Sequence, residues 1–77
     1  MFEIRVNGEF LGNRRAWNAS IRAIERAAWK VARKNGVYLY LIDAESIRDE
    51  SGFGFECGHR IWSGGGLELK FTISKAK

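Results

Sequence analysis

One pair of residues, Cys57 and His59, has the composition of a nucleophile and its base. The two are separated by one residue in a stretch that alternates like a β-strand, so both side chains lie on one face, where an imidazole can activate a thiolate. No third group that would orient His59 is apparent from the sequence, and a catalytic cysteine usually lies at a helix start or in a loop. A small core cysteine beside an edge histidine therefore accounts better for the pair.

Glu68 and Lys70, together with Asp43, form a second set, of the kind that metal-dependent nucleases use to hold a cation and orient water. Alternating charges on a solvated strand explain this set more simply. The glycine-rich stretch 63–66 lacks the lysine and helix start of a phosphate-binding loop, which is typical of a turn. One cysteine and one histidine are too few for a structural zinc site. We therefore expect no catalytic, cofactor-binding or metal-binding residue and predict that the protein is not an enzyme.

Length and composition indicate a single packed domain, residues 1–77. Hydrophobic residues make up 45% of the chain and aromatic residues 13%, which is typical of a folded core and not of a disordered chain. No apolar run approaches the length of about 18 residues that a membrane span needs, and residues 1–5 do not resemble a signal peptide. These features favour a cytoplasmic protein with no membrane partner.

The periodicity of apolar residues predicts five strands and one helix in the order β-β-α-β-β-β. The strands are expected at residues 2–6, 9–12, 37–43, 53–62 and 67–74, with an exposed acidic loop at 44–52. Asn7-Gly8 predicts a tight hairpin in which Ile4 opposes Leu11. Strand 37–43 is apolar on both faces, which predicts a central position. The simplest arrangement is an α+β fold, a five-stranded, mostly antiparallel sheet with one long helix packed on one face.

The helix is expected over residues 14–34. A short amide side chain at Asn13, or alternatively at Asn18, can accept a hydrogen bond from the first free backbone N–H groups, while Asn35-Gly36 suits the left-handed residue that ends a helix. Apolar residues recur at spacings of three and four along the side that faces the core. That side carries Trp17, Ile21, Ile24, Ala28 and Val31.

The opposite side of the predicted helix is strongly basic. Residues 14–34 hold seven basic residues and one acidic residue, Glu25. A solvated helix face usually mixes signs for local pairing, so this excess favours a surface for an anionic partner. Arginine suits phosphates and carboxylates, and exposed tryptophan is common in binding hot spots. The expected contact residues of this face are Arg15, Arg22, Arg26, Trp29, Lys30 and Arg33.

The outer face of the sheet is a second expected contact surface. Strand alternation places large aromatic side chains opposite Leu39, Leu41 and Ile61, and one helix covers only one side of a sheet. An uncovered aromatic face would bind a partner, stack unpaired bases or form a homodimer. In the alternative, the strands curl into a partial barrel that buries the rings. The expected residues are Tyr38, Tyr40, Arg60 and Trp62 as partner-binding residues, with Arg5, Phe10 and Lys70 beside them.

The succession of a hairpin, an alanine-rich helix (residues 19–28) and an antiparallel sheet resembles the architecture of some small, phage-encoded anti-CRISPR proteins. The resemblance implies a non-catalytic inhibitor that binds a CRISPR-Cas surveillance complex or effector through its basic helix face, with an acidic patch of Cas proteins as the partner. Many such inhibitors are acidic mimics of DNA, and this basic chain departs from them. The alternative is a small basic nucleic-acid-binding module that contacts DNA or RNA phosphates through the helix arginines.

Overall fold

A computed structural model, which describes residues 1–76, confirms the predicted α+β fold of one helix and five antiparallel strands. The elements are β1 (Phe2–Val6), β2 (Glu9–Arg14), α1 (Trp17–Asn35), β3 (Tyr40–Arg48), β4 (Phe55–Gly64) and β5 (Leu67–Lys75). The sheet is open, with the strand order β2-β1-β5-β4-β3, and the helix packs on one of its faces. No helix in the described part of the chain is long and apolar enough to cross a membrane.

The first hairpin forms where Asn7-Gly8 predicts it. Asn7 has a φ of 50° and Gly8 a φ of 86°, so both adopt the left-handed conformation of a tight turn. Further along, Ile4 pairs with Gly12, because a bulge inserts one extra residue into β2. The predicted pair of Ile4 with Leu11 is therefore wrong, and Leu11 is left exposed.

The helix begins at Trp17 and not at residue 14. Asn13 belongs to β2 and pairs with β1, and Asn18 lies inside the first turn, so neither predicted cap forms. The capping position is taken by Ala16, whose backbone is extended and whose side chain cannot accept a hydrogen bond. Its carbonyl instead accepts hydrogen bonds from the backbone N–H and the hydroxyl of Ser20, both at 3.0 Å.

The core lies between the helix and the middle of the sheet. On the helix it is centred on Ile24 and Ala28, and the predicted flanking residues Trp17, Ile21 and Val31 are half-buried around them. The sheet contributes Phe2, Ile4, Leu69, Phe71 and Ile73. Because the apolar side of the helix faces the sheet, its basic side is turned to solvent.

Trp17 fixes the start of the helix on the sheet. Its ring stacks on Phe55, with 4.6 Å between ring centroids, and meets the edge of Phe2 at 5.4 Å. At Gly58 a Cβ atom would collide with the carbonyl of Glu45 and with the Trp17 ring. Glycine at this position therefore lets the tryptophan lie directly on the backbone of β4.

β3 is an edge strand, which corrects two predictions. Within residues 1–76 it pairs with β4 alone, and residues 44–48 belong to this strand and not to the predicted acidic loop 44–52. The central position predicted for strand 37–43 is wrong, since β5 lies in the middle between β1 and β4. The helix packs on β1, β2, β4 and β5 and does not reach β3. All nine residues of β3 are therefore exposed, including its apolar ones.

Arg60 and Trp62 lie on the helix side of the sheet, so the prediction that they lie on its outer face is wrong. Arg60 pairs with Phe71 and Trp62 pairs with Leu69, and paired residues of neighbouring strands share a face. Alternation within β4 shows which residues share a face, but only the register with β5 decides which face is inward. Tyr38 does not lie on the outer face either, because β3 begins at Tyr40 and Tyr38 is therefore outside the sheet.

The outer face of the sheet carries fewer aromatic residues than predicted. Of the expected set, Arg5, Phe10, Tyr40 and Lys70 lie on this face by their pairing. Trp62 is half-buried by the helix and not by a curled sheet, because the sheet stays open. Phe10 and Tyr40 lie at opposite edges, so the two rings do not form the continuous aromatic surface that was expected.

Two carboxylates near the β3–β4 hairpin couple folding to pH. The hydroxyl of Ser51 and the ammonium of Lys75 donate hydrogen bonds to Asp49, and these hold the pKa of Asp49 below its ordinary value. A hydrogen bond from His59 likewise lowers the pKa of Asp43. A carboxyl whose pKa is lower in the folded state stabilises the fold above its unfolded pKa of about 3.9, and this stabilisation is lost as pH falls through the folded value.

We expect the free energy of unfolding to fall as the pH drops below about 4, and Asp49→Asn to make this fall shallower. Urea denaturation at a series of pH values measures the free energy of unfolding of the parent protein and of Asp49→Asn as a function of pH. Glu50→Gln is the matched control, because Glu50 is an exposed neighbour whose side chain makes no hydrogen bond in the described structure. Identical pH dependence in Asp49→Asn and the parent protein would contradict the assignment.

Candidate functional site

A line of cations runs along the solvent side of α1, and we call Arg22, Arg26 and Arg33 the ridge. Each ridge residue is exposed, opposite the buried side of the helix. The helix rise places Arg22 and Arg26 about 6 Å apart along the axis and Arg33 about 10 Å further on. Lys30 is exposed at one flank, and Arg15 is exposed in the bend that precedes the helix. The ridge therefore presents a row of positive charge to one side of the molecule.

No residue of the ridge forms an ion pair within residues 1–76. The Lys and Arg ion pairs of this part of the chain join Arg5 to Glu3 at 2.8 Å and Lys75 to Asp49 at 3.4 Å, and neither involves the helix. Glu25, the one acidic residue of the helix, makes no ion pair there either. The positive charge of the ridge is therefore not neutralised within the described structure.

Trp29 lies beside the ridge and is 62% exposed. The guanidinium of Arg33, one helical turn later, lies 5.1 Å from the centroid of the Trp29 ring. This distance is that of a cation–π contact, which holds both long side chains in a defined arrangement. Trp29 and Arg33 thus offer a flat apolar surface and a positive charge side by side.

A groove of about 620 Å³ separates this flank of the helix from the chain that leads into β3. Its volume lies within the range of about 300–1,000 Å³ that is typical of ligand sites. The half-buried and buried residues that line it are Ala28, Ala32, Val37, Leu39 and Trp62. The exposed residues at its rim are Glu25, Arg26, Trp29, Arg33, Gly36 and Tyr38. The groove therefore has an apolar floor and a rim that is aromatic and mainly cationic.

Two glycines let the chain form this groove. Gly36 ends the helix with a φ of 62°, as predicted, and the N–H of Val37 donates a hydrogen bond to the carbonyl of Ala32 at 3.0 Å. Gly65, in the turn between β4 and β5, has a φ of 56°, and a Cβ atom there would collide with the side chain of Val37. The segment 37–39 can therefore run close to that turn, along one side of the groove.

Trp62 joins the groove from the sheet, although it was expected on the outer face. Its indole nitrogen Nε1 is buried and has no hydrogen-bond partner in the described residues. Tyr38 is 82% exposed at the rim, and its ring lies 6.5 Å from that of Tyr40, which itself is on the outer face of β3. Of the predicted aromatic residues, the structure thus brings Trp29, Tyr38 and Trp62 to one groove.

Arg60 has a structural role that differs from its predicted one. Its guanidinium donates hydrogen bonds to the carbonyls of His59 (2.7 Å) and Glu45 (2.9 Å) and to the hydroxyl of Ser46 (3.0 Å). These contacts join β4 to the edge strand β3. Arg60 therefore uses its donors within the sheet, away from the groove.

Sequence reasoning missed Ala32, Val37 and Leu39 as lining residues of the groove. The stretch that follows Asn35-Gly36 is rich in branched and aromatic residues, which predicts a strand that includes Val37 and Leu39. Ala32 lies on the helix between the apolar and the basic sides, and its small side chain is the one local signal that a groove can form there. The groove itself depends on contacts between distant segments, which the local pattern does not contain.

The residues considered for catalysis, Cys57, His59, Asp43 and Lys70, all lie on the sheet. Cys57 and His59 share a face of β4. A third group, which the sequence pattern did not indicate, does contact His59: Asp43, with 2.9 Å between Nε2 and Oδ2. No hydrogen bond of the described structure joins His59 to Cys57. Ile61 separates Lys70 from Asp43, because it pairs with both across the sheet. Within residues 1–76, no group of three or more His, Cys, Asp or Glu side chains is positioned to hold a metal ion.

Comparison with models of known protein families, with curated proteins and with solved structures finds no match. The resemblance to anti-CRISPR proteins therefore still depends on the order of the elements alone. The ridge and the groove are the features of this molecule from which a function can be inferred.

Proposed function

We propose that the protein is a non-catalytic nucleic-acid-binding module that contacts phosphates through the ridge. The observation that supports this proposal is a row of exposed arginines that form no ion pair within residues 1–76. From Arg22 to Arg33 the row extends about 16 Å, which equals about five nucleotide rises along one strand of B-DNA. Arginine donates paired hydrogen bonds that match the geometry of a phosphate. A strand that lies along the helix would meet one guanidinium after another.

A second candidate is a protein inhibitor, as the anti-CRISPR resemblance implies. The contact between Trp29 and Arg33 favours it, because these two residue types dominate binding hot spots in protein interfaces. Its partner would be an acidic patch on a CRISPR-Cas complex. Such a patch is local, whereas the ridge continues past Trp29 in both directions as far as Arg22 and Arg33. This extent is why a phosphate backbone fits the ridge better than one hot spot does.

A salt titration with nucleic acid of random sequence tests the proposal. Each phosphate that is neutralised contributes about −0.9 to the slope of log affinity against log salt for duplex DNA and about −0.7 for a single strand, so three ridge contacts give a slope of roughly −2 to −3. Fluorescence anisotropy of a labelled oligonucleotide measures it. Arg26→Gln should reduce the slope by about 1, while Lys70→Gln, on the outer face of the sheet, should leave it unchanged.

Two results would contradict the proposal. One is an absence of binding to any nucleic acid at low salt, which would favour the protein partner. The other is an equal reduction of the slope by Arg26→Gln and Lys70→Gln, since net charge and not the ridge would then govern binding.

A further inference from the structure

We propose that the groove beside the ridge binds an unstacked base of a single-stranded nucleic acid. This inference rests on the proposed function, because the ridge would hold the phosphates on either side of that base. It adds that the protein distinguishes single strands from duplexes, whose bases are stacked and paired. Three features of the groove support it: the aromatic rim, the charge and the floor.

The rim offers flat surfaces for stacking. Trp29 and Tyr38 come from opposite sides of the groove, one from the helix and one from the segment before β3, and both are more than half exposed. Bases stack on aromatic side chains whatever their sequence, because every base has a π face. Trp29 is already held in place by Arg33 at 5.1 Å. Part of the ordering that stacking requires is therefore present in the free protein.

Positive charge and apolar surface lie side by side at this groove, as the phosphate and the base do in a nucleotide. Arg26 and Arg33 belong to the ridge and also line the groove. A ligand that fills both must carry an anionic group next to a flat, largely apolar one, as a nucleotide does. The one carboxylate of the rim, Glu25, can accept a hydrogen bond from an N–H group on the edge of a base.

The floor of the groove offers a further aromatic ring. Trp62 is half-buried and lines the groove from the sheet, while its Nε1 is buried and makes no hydrogen bond within residues 1–76. Because this atom is not exposed to the groove, a base in the groove would contact the ring of Trp62 and not its N–H.

The test compares two single strands of about 12 nucleotides, within the span of known single-strand sites. One is an oligothymidylate, and the other is an abasic strand that has the same phosphates and no bases. Stacking of a base strengthens binding by roughly fivefold to a hundredfold. We expect the oligothymidylate to bind more tightly by a factor in this range at every salt concentration, and both strands to show the same salt slope.

The variants Trp29→Ala and Tyr38→Ala should remove most of this preference for bases. Trp62→Phe keeps a smaller aromatic ring at the floor, and it should weaken the preference by a smaller factor. Phe10→Ala is the matched control, because Phe10 is an exposed aromatic residue at the far edge of the sheet. It should leave the preference unchanged.

The outcomes separate this inference from the proposed function. Equal binding of the two strands with a steep salt slope would overturn the groove inference and leave phosphate binding by the ridge intact. A base preference that survives Trp29→Ala and Tyr38→Ala would overturn the inference as well. Failure of both strands to bind, with binding of an acidic peptide instead, would overturn both proposals.

Discussion

Replacement of Phe71 with alanine is expected to remove most of the stability of this protein. Phe71 lies on the central strand β5, is 1% exposed and is among the largest fully buried side chains in the described core. Truncation of a buried phenylalanine typically costs about 3–5 kcal/mol, because the transfer energy of the ring is lost and a cavity remains. A domain of this size has a total free energy of unfolding of roughly 5–10 kcal/mol.

Thermal unfolding followed by circular dichroism measures the effect. We expect Phe71→Ala to lower the midpoint by more than about 15 °C or to leave the chain unfolded at room temperature. Phe53→Ala is the matched control, since the same side chain is 93% exposed in the loop before β4 and its loss should change stability by less than about 0.5 kcal/mol. Phe71→Leu keeps the site apolar, and its unfolding midpoint should lie between those of Phe71→Ala and Phe53→Ala. Equal shifts for Phe71→Ala and Phe53→Ala would show that the core has been placed wrongly.

Local patterns were sufficient to predict the helix and its two sides. The spacing of Ile24 and Ala28 predicted the buried side, and the spacing of Arg22, Arg26 and Arg33 predicted the exposed one. Both patterns lie within one element, so a helical period alone relates them in space. The helix start was harder, because residues 13 and 14 are taken up by pairing with β1, which is a contact between elements.

The position of β3 and the faces of β4 could not be predicted in the same way. The alternation in β4 is visible in the sequence, but the face predicted for Trp62 is wrong. Its pairing with Leu69 cannot be deduced from the sequence of either strand alone. Strand 37–43 looked central because its residues are apolar on both faces. In the structure those residues remain exposed at an edge or line the groove, because the helix stops short of β3. The apolar character of this stretch therefore did not indicate a central strand here.

The groove follows from these same non-local contacts. Its floor needs Trp62 on the helix side of the sheet, and its rim needs Tyr38 outside the strand. Both conditions contradict the local prediction, which placed these residues together with Tyr40 on the outer face. The sequence predicted more large aromatic residues on one face than the usual scatter of exposed apolar residues, but where these residues lie depends on the register of three strands.

Reversal of the charge of the ridge should abolish binding to nucleic acid while the fold is retained. The variant Arg22→Glu/Arg26→Glu/Arg33→Glu removes three cations and places three carboxylates where phosphates would lie. Hydrogen bonds to charged groups contribute about 1.5 kcal/mol or more each, so the loss of three corresponds to roughly a thousandfold weaker binding. Repulsion between the new carboxylates and the phosphates adds to this loss, most strongly at low salt.

The fold should tolerate the triple variant, because all three positions are exposed and glutamate forms helices about as well as arginine. Circular dichroism checks this directly. The charge-matched control compares Arg26→Glu with Lys70→Glu, since each changes the net charge by the same amount and only the first lies on the ridge. We expect Arg26→Glu to weaken binding more than tenfold and Lys70→Glu less than about twofold, because an exposed charge beyond a Debye length from the bound strand is largely screened. Equal losses from the two single variants would locate the interaction in the overall charge of the molecule and would remove the ridge from any specific role.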